Sequence, residues 1–213
     1  MKITYVAHAC FVVEAQEGTL VMDPFIAAMP YRFPRVSAGV VTVSHEHDDH
    51  NAVARVSGNP VVVRGAGTHR VGKLEIVGIA SWHDDAGGSK RGTNTIFTFA
   101  AEGLRLAHLG DLGTPLDATQ RTALHDAQVL FVPVGGYFTI DAATAAQVVR
   151  SLPNARIVVP MHYRTELLAD WPTAPVDDFL RTMDNPRHIG SSSVVLTRAT
   201  LPEALEVWVF DHA

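Results

Sequence analysis

The apolar positions of this chain fall mostly into short runs rich in β-branched residues and bounded by Gly, Asp, Asn or Pro. Such runs are the mark of strands. They predict strands near residues 2–7, 10–15, 19–23, 40–44, 60–64, 74–81, 94–100, 104–108, 128–133, 156–160, 193–198 and 205–210. Helical signals come later. Thr114 as N-cap with Pro115 in the first turn opens a helix reaching about Ala127. Asp141 caps a helix over Ala142–Leu152, which Pro153 stops. Pro175–Met183 forms a shorter third helix, and a short one follows His50 over Ala52–Val56. Strands fill the first half, and strands alternating with helices fill the second. No repeat, low-complexity tract or Ser/Gly linker separates them, so residues 1–213 read as one α/β domain, layers of sheet with helices outside.

The residues just beyond the strands carry the chemistry. The run AGVVTVS leads into His45-Glu46-His47-Asp48-Asp49-His50, LEIVGIASW into His83, LRLAHLG into Asp111, RIVVPM into His162, and TLVM into Asp23. If these strands lie in neighbouring sheets, their ends gather the side chains at one rim, where rigid strands hold ligand geometry better than loops do. Neutral imidazole and aspartate oxygen suit zinc or another first-row divalent ion. His45 and His47, two apart on an extended segment, point the same way and can grip one ion together. Asp49 and His50 fall where the chain turns and can face a second ion. His83, Asp111 and His162 supply remote ligands. The bland alternative for residues 45–50 is a solvated acidic loop; for His69, His125, His188 and His212 the ordinary surface or core reading stands.

Composition narrows the function classes. The 213 residues are 47% hydrophobic and 18% charged, which excludes a disordered chain. One cysteine, Cys10, excludes an internal disulfide framework and fits a reducing compartment. The formal charge of −5 gives no global attraction for nucleic acid. No run of 18 apolar residues suggests a membrane span, and MKITYVAHACFVVEA reads as two strands, not a signal peptide, so a cytoplasmic location is expected.

The same residues carry a resemblance. H-x-H-x-D-H after a strand, followed by His83, Gly110-Asp111 and His162, resembles the metallo-β-lactamase superfamily. His8-Ala9-x-Phe11, Asp23-Pro24-Phe25, Arg91-Gly92-x-Asn94, His108-Leu-Gly-Asp111-Leu-Gly113, Pro133-Val-Gly-Gly136 and Pro160-Met-His162-Tyr163 are similar to segments of small bacterial metal-dependent hydrolases related to the ascorbate-6-phosphate lactonases. The resemblance implies a four-layer αβ/βα sandwich with a dinuclear site at the rim between its sheets. Carried over by position, His45, His47 and His83 would hold the first metal, Asp49, His50 and His162 the second, and Asp111 would bridge them. The chain shows no obvious inserted lid or extra domain, so the resemblance gives no ground for carrying over the substrate of larger relatives.

The expected chemistry is hydrolysis: two divalent ions, zinc first with manganese, iron or nickel as alternatives, share a water and lower its pKa toward about 7. The bridging hydroxide would attack a small-molecule ester, lactone or phosphodiester, with Asp49 orienting it. Asp23 is a candidate to accept a hydrogen bond from a ligand histidine. His8, Asn94 and His108 are candidates for contacts behind the ligands or with substrate. His108, three residues before Asp111, points away from it unless the strand bends. Tyr137, after two glycines, either reaches the pocket as a hydrogen-bond donor or packs as a turn aromatic. The polar stretch Gly87–Gly92 reads as a mobile surface loop, although Lys90 and Arg91 could take a phosphate or carboxylate. Rival readings are a nuclease, a mononuclear iron oxygenase of sulfur substrates and a catalytically silent metal-binding protein. The resemblance also allows a homo-oligomer, while Trp171 and the Pro-containing segment around it could pack internally instead.

Overall fold

The computed structural model describes residues 1–213. Strands β1 (Lys2–Ala7), β2 (Cys10–Ala15), β3 (Gly18–Met22), β4 (Val40–Val43) and β5 (Val61–Arg64) open the chain. After them come β6 (Gly67–Val71), β7 (Leu74–Trp82), β8 (Thr93–Ala101), β9 (Leu104–His108) and β10 (Val129–Pro133). The last are β11 (Ile157–Met161), β12 (Pro186–His188), β13 (Ser193–Val195) and β14 (Glu206–Val209). They form a six-stranded sheet in the order β13-β1-β2-β3-β4-β5 and an eight-stranded sheet in the order β12-β14-β11-β10-β9-β8-β7-β6.

Strand periodicity explains how the sheets pack. In β2, Phe11 and Val13 face the core between the sheets, and Cys10 and Val12 face outward. In β10, Val129 and Phe131 enter that same core, while Leu130 and Val132 meet the helices. Both faces are covered, so these strands read as continuous apolar runs. Helices α1 (Ala118–Ala123), α2 (Ala142–Arg150) and α3 (Val176–Leu180) follow β9, β10 and β11. Ala145, Ala146, Val148 and Val149 of α2 and Phe179 of α3 pack on the outer face of the eight-stranded sheet. The opposite outer face carries a thinner layer: Phe25, Met29 and Tyr31 from the stretch after β3, Val56 and Leu168 pack there, beside the 3-10 turns Val53–Arg55 and Glu166–Leu168.

Strand direction builds one rim. Strands β3, β4 and β5 run parallel, as do β9, β10 and β11. Antiparallel pairing of β7 to β8 and of β8 to β9 gives β7 the direction of β9. The carboxyl ends of β3, β4, β7, β9 and β11 therefore deliver Asp23, the 45–50 segment, His83, Asp111 and His162 to the same edge of the sandwich. Ligand sites belong at such ends in parallel sheets.

Several boundaries differ from expectation. The first helix starts at Ala118, because Asp117 accepts from the Gln120 amide while the Gln120 side chain accepts from the Asp117 amide, closing a capping box. Thr114 instead hydrogen-bonds the carbonyl of Pro115. The expected 52–56 helix is only the 3-10 turn, and the third helix is confined to Val176–Leu180. Beyond Val195 the 193–198 run leaves the sheet, and Thr197 caps a 3-10 turn over Arg198–Thr200. Strands β6 and β12 had no apolar alternation to announce them; each lies at a sheet edge and is held by its neighbour, β7 or β14.

Candidate metal centre

The backbone at the rim is strained where chemistry is expected. Four non-glycine residues with positive φ lie here: His8 (59°), Asp23 (45°), Tyr137 (57°) and His162 (53°). Such conformations cost of order 1–3 kcal/mol each and concentrate at functional sites. Two glycines permit close approach. Gly110, at φ 54°, turns the chain against Asn94 and Ser44 just before Asp111, and Gly135 leaves no room for a Cβ beside the His162 carbonyl.

The potential ligand atoms of His45, His47 and His83 lie within 4.8 Å of one another, and those of His8, Asp49, His50 and His162 form a second group on the same criterion. Asp111 stands between them. Its Oδ2 is 3.2 Å from His83 Nε2, 3.1 Å from His162 Nε2 and 3.9 Å from His45 Nε2, while Oδ1 is 3.4 Å from His50 Nε2. His45, His50, His83, Asp111 and His162 are buried; His47 is exposed and Asp49 partly so. A cavity of about 190 Å³ opens over this cluster, lined by His47, Asp49, His83, Arg91, Asp111, His162 and the rings of Phe138 and Trp171.

Asp23 orients one histidine of each group. His50 Nδ1 donates to Asp23 Oδ2 at 2.9 Å, which leaves His50 Nε2 free toward Asp111 and Asp49. Ser44 Oγ donates to the same oxygen at 2.5 Å and accepts from His45 Nδ1 at 2.9 Å, so His45 also presents Nε2. The Ser44 amide donates to Asp23 Oδ1 at 2.8 Å. An ionised carboxylate only accepts, so these contacts select the tautomers. Asn94 acts on the backbone: its Oδ1 accepts from the Asp111 amide at 2.9 Å, and its Nδ2 donates to Ser81 Oγ and the Leu109 carbonyl. His108 points away from Asp111, donating from Nε2 to the Ala9 carbonyl at 2.8 Å. It ties the end of β9 to the turn that carries His8. His8 Nε2 donates to Asp49 Oδ2 at 3.0 Å, and the His8 carbonyl accepts from the His162 amide at 2.9 Å.

The electrostatics favour cations. Burial, reinforced by His50, lowers the His45 imidazole to about 3, and burial with His162 nearby lowers His8 to about 4. Both are therefore neutral at pH 7, the form a metal ligand needs. Burial opposes ionisation of Asp111 and Asp49, but His162 and His50 around the first and His8 beside the second hold both well below the usual carboxylate range. His50 goes the other way: burial pulls it down, yet Asp111, Asp23 and Asp49 together push it up to about 9. Three carboxylates crowd one dry edge and draw positive charge toward themselves.

Unpartnered atoms test whether the donors suit metal ions. His45 Nε2, His50 Nε2, His83 Nδ1, Asp111 Oδ1 and His162 Nδ1 are buried with no hydrogen-bond partner. Leaving such a group unmet costs about 1–3 kcal/mol. Three of them, His45 Nε2, His50 Nε2 and Asp111 Oδ1, face one another, while His83 and His162 turn Nε2 to Asp111 and leave Nδ1 unmet behind. This fold is therefore shaped for something besides its own hydrogen bonds. Imidazole and carboxylate donors gathered around one aspartate fit divalent metal ions.

Some of the site escaped sequence reasoning. Tyr137 does not line the metal cavity; it is 66% exposed, and the next residue, Phe138, takes that place. Trp171 packs internally, its ring centroid 5.6 Å from that of His8 and 5.9 Å from that of Phe138. The stretch 84–92 is an organised loop, because the Asp84 carboxylate accepts from the amides of Ala86, Gly88, Lys90 and Arg91. An aspartate ahead of a glycine-rich loop was the available signal. Ser44, adjacent to His45, had none beyond its position.

Comparison with known proteins places this arrangement. A profile of the beta-lactamase superfamily domain matches residues 2–162, a span containing all seven candidate ligands. A solved structure from Thermotoga maritima, assigned as a Zn-dependent hydrolase of the metallo-beta-lactamase superfamily, is 37% identical, covers 100% of this chain and 99% of its own, and superposes with a TM-score of 0.84. The UPF0173 metal-dependent hydrolase of Carboxydothermus hydrogenoformans is 29% identical over 92% of this chain and 96% of its own. Its namesake from Archaeoglobus fulgidus is 28% identical over 78% and 84%. With its two packed sheets and the histidines and aspartates gathered at their common rim, the chain belongs to the metallo-β-lactamase superfamily.

Proposed function

We infer that this chain is a metal-dependent hydrolase that holds two divalent cations, zinc foremost, and cleaves a small-molecule ester, lactone or phosphodiester. The observation that carries the reading is the cluster of buried, partnerless donors around Asp111. Divalent ions held by such donors supply a water acidified to near-neutral pKa and Lewis acidity for the oxygen under attack. His45, His47 and His83 form one half of the cradle and Asp49, His50 and His162 the other. The presence of two groups, not one, favours hydrolysis over mononuclear oxygenase chemistry.

The protein's own part is orientation and exclusion of water. Asp49 stands at the cavity with one oxygen engaged by His8, so its other oxygen is available to align a water molecule and take its proton. Phe138 and Trp171 wall one side of the cavity, and the less water reaches that side the stronger each charge interaction there becomes. At about 190 Å³ the cavity is smaller than the roughly 300–1,000 Å³ typical of drug-sized ligands. This size, with the net charge of −5, speaks for a small molecule and against a nucleic acid.

The test combines elemental analysis of purified protein with a panel of lactone, ester and phosphodiester substrates. About two metals per chain and one clear hydrolytic activity are expected. A chain fully loaded with metal yet inert toward every bond class would favour a silent metal-binding protein and defeat the reading.

A further inference from the structure

Among the charged groups around the metal cavity, Arg91 alone has no acid to answer it. An outer cavity of about 410 Å³ adjoins the metal cavity and is lined by Asp84, Asp85, Lys90, Asp141 and again Arg91. Lys90 pairs with Asp85 at 2.7 Å. The Asp84 carboxylate is saturated by four backbone amides, and Asp141 accepts from the Thr144 amide as the cap of α2. Arg91 has no carboxylate within 4.0 Å. Its guanidinium carbon lies 5.3 Å from the Phe138 ring centroid and 5.8 Å from that of Tyr137.

The position is built. The Arg91 amide donates to Asp84 Oδ2 at 2.7 Å, the Gly92 amide to the Gly88 carbonyl at 2.9 Å, and the His83 amide to the Gly92 carbonyl at 3.1 Å. The loop is thus fastened to the strand end that carries the metal-ligand candidate His83. Stacking on two aromatic faces restrains the guanidinium plane but leaves its edge N–H groups unspent. That edge borders both cavities, where the substrate must pass or rest.

We propose that Arg91 determines specificity by receiving an anionic group, a carboxylate or a phosphate, of a small substrate whose scissile bond lies over the metal ligands. The proposal rests on the hydrolase reading of the site and names its substrate class. The planar fork of guanidinium N–H groups matches either anion with two parallel hydrogen bonds. Arg91 also answers a charge problem: Asp49 and Asp111 would repel an anion from the same cavity until the cations and this guanidinium outweigh them.

The experiment compares zinc-loaded wild-type enzyme with Arg91→Met and Arg91→Lys on matched substrates that differ only in a free carboxylate, a free phosphate monoester or a neutral methyl ester at the group remote from the reacting bond. Titration with benzoate, inorganic phosphate and neutral benzamide provides a binding readout that needs no turnover. In Arg91→Met the preference for anionic over neutral partner, in kcat/KM, falls roughly 10- to 100-fold, through KM more than kcat, and the affinity for the matching anion falls by a similar factor. Arg91→Lys, with the charge but not the fork, lies between. Whichever anion loses more identifies its source. A preference and an anion affinity within twofold of wild type in Arg91→Met would overturn the proposal. If no substrate turns over while anion binding still depends on Arg91, the hydrolase reading fails and the anion site stands.

Discussion

Replacing Asp23 by Asn changes one buried atom and disturbs both halves of the site. In the native structure Oδ1 accepts from the Ser44 amide, while Oδ2 accepts from Ser44 Oγ and from His50 Nδ1. An asparagine offers only one acceptor oxygen. If that oxygen faces His50, the new NH2 meets the Ser44 amide, donor against donor. If it faces Ser44, the NH2 meets His50 Nδ1 and drives the ring toward its other tautomer, with the proton on the nitrogen meant for the metal. Either way a buried donor loses its acceptor, at about 1–3 kcal/mol. Loss of a partner that orients a ligand histidine further reduces metal affinity by about 10- to 100-fold, or roughly 1.4–2.8 kcal/mol. Since Ser44 passes the effect on to His45, both ions are expected to bind more weakly. The assay is zinc affinity by competition with a chromophoric chelator, alongside a thermal melt of the metal-free protein. Zinc affinity within twofold of wild type, with an unchanged melting temperature, would refute this role for Asp23.

Other consequences can be measured with the same material. Asp49→Asn should lower kcat by about 10²–10⁴-fold, the range of a positioned base, while zinc bound by His45, His47 and His83 is retained; full activity at full loading would remove Asp49 from its role. Stripping metal with a chelator should lower the melting temperature by roughly 5–10 °C, from about 2.7 kcal/mol of linkage at a hundredfold excess over Kd and 2–4 °C per kcal/mol for a chain of this size. A shift below 1 °C would mean that the partnerless donors are not metal ligands. Gly135→Ala should cost about 1–3 kcal/mol, because the new methyl meets the His162 carbonyl and the Tyr163 Cα; zinc titration should show weaker binding on the His162 side than on the His45 side.

How legible each element was in the sequence depends on how it is held. The runs VLFVP and IVVPM are buried along their whole length and state their structure plainly. GTHRV and PRH do not, since an edge strand takes its conformation from the neighbour it pairs with. The start of α1 was ambiguous because Thr114-Pro115 and Asp117 both offer a beginning, and the reciprocal Asp117–Gln120 bonds decide it. The seven candidate ligands stood out because each lies in the segment that follows a strand end, β4, β7, β9 or β11, and parallel strands turn order in sequence into proximity in space. Arg91 and Trp171 were marked by residue type, but they and Phe138 come from loops that fold over the cavity, and no local pattern records where a loop lands. Asp84 shows what the expected mobile surface loop over Gly87–Gly92 left out: glycines give a loop freedom, and a carboxylate ahead of them that accepts four amides restrains it.

Two cations flanking Asp111 are the central claim. Anomalous scattering from crystals of the zinc-loaded protein, collected on either side of the zinc edge, tests it directly. Two peaks are expected, one bounded by His45, His47 and His83 and the other by Asp49, His50 and His162, with Asp111 touching both. A single peak at full zinc saturation, or peaks away from Asp111, would contradict it.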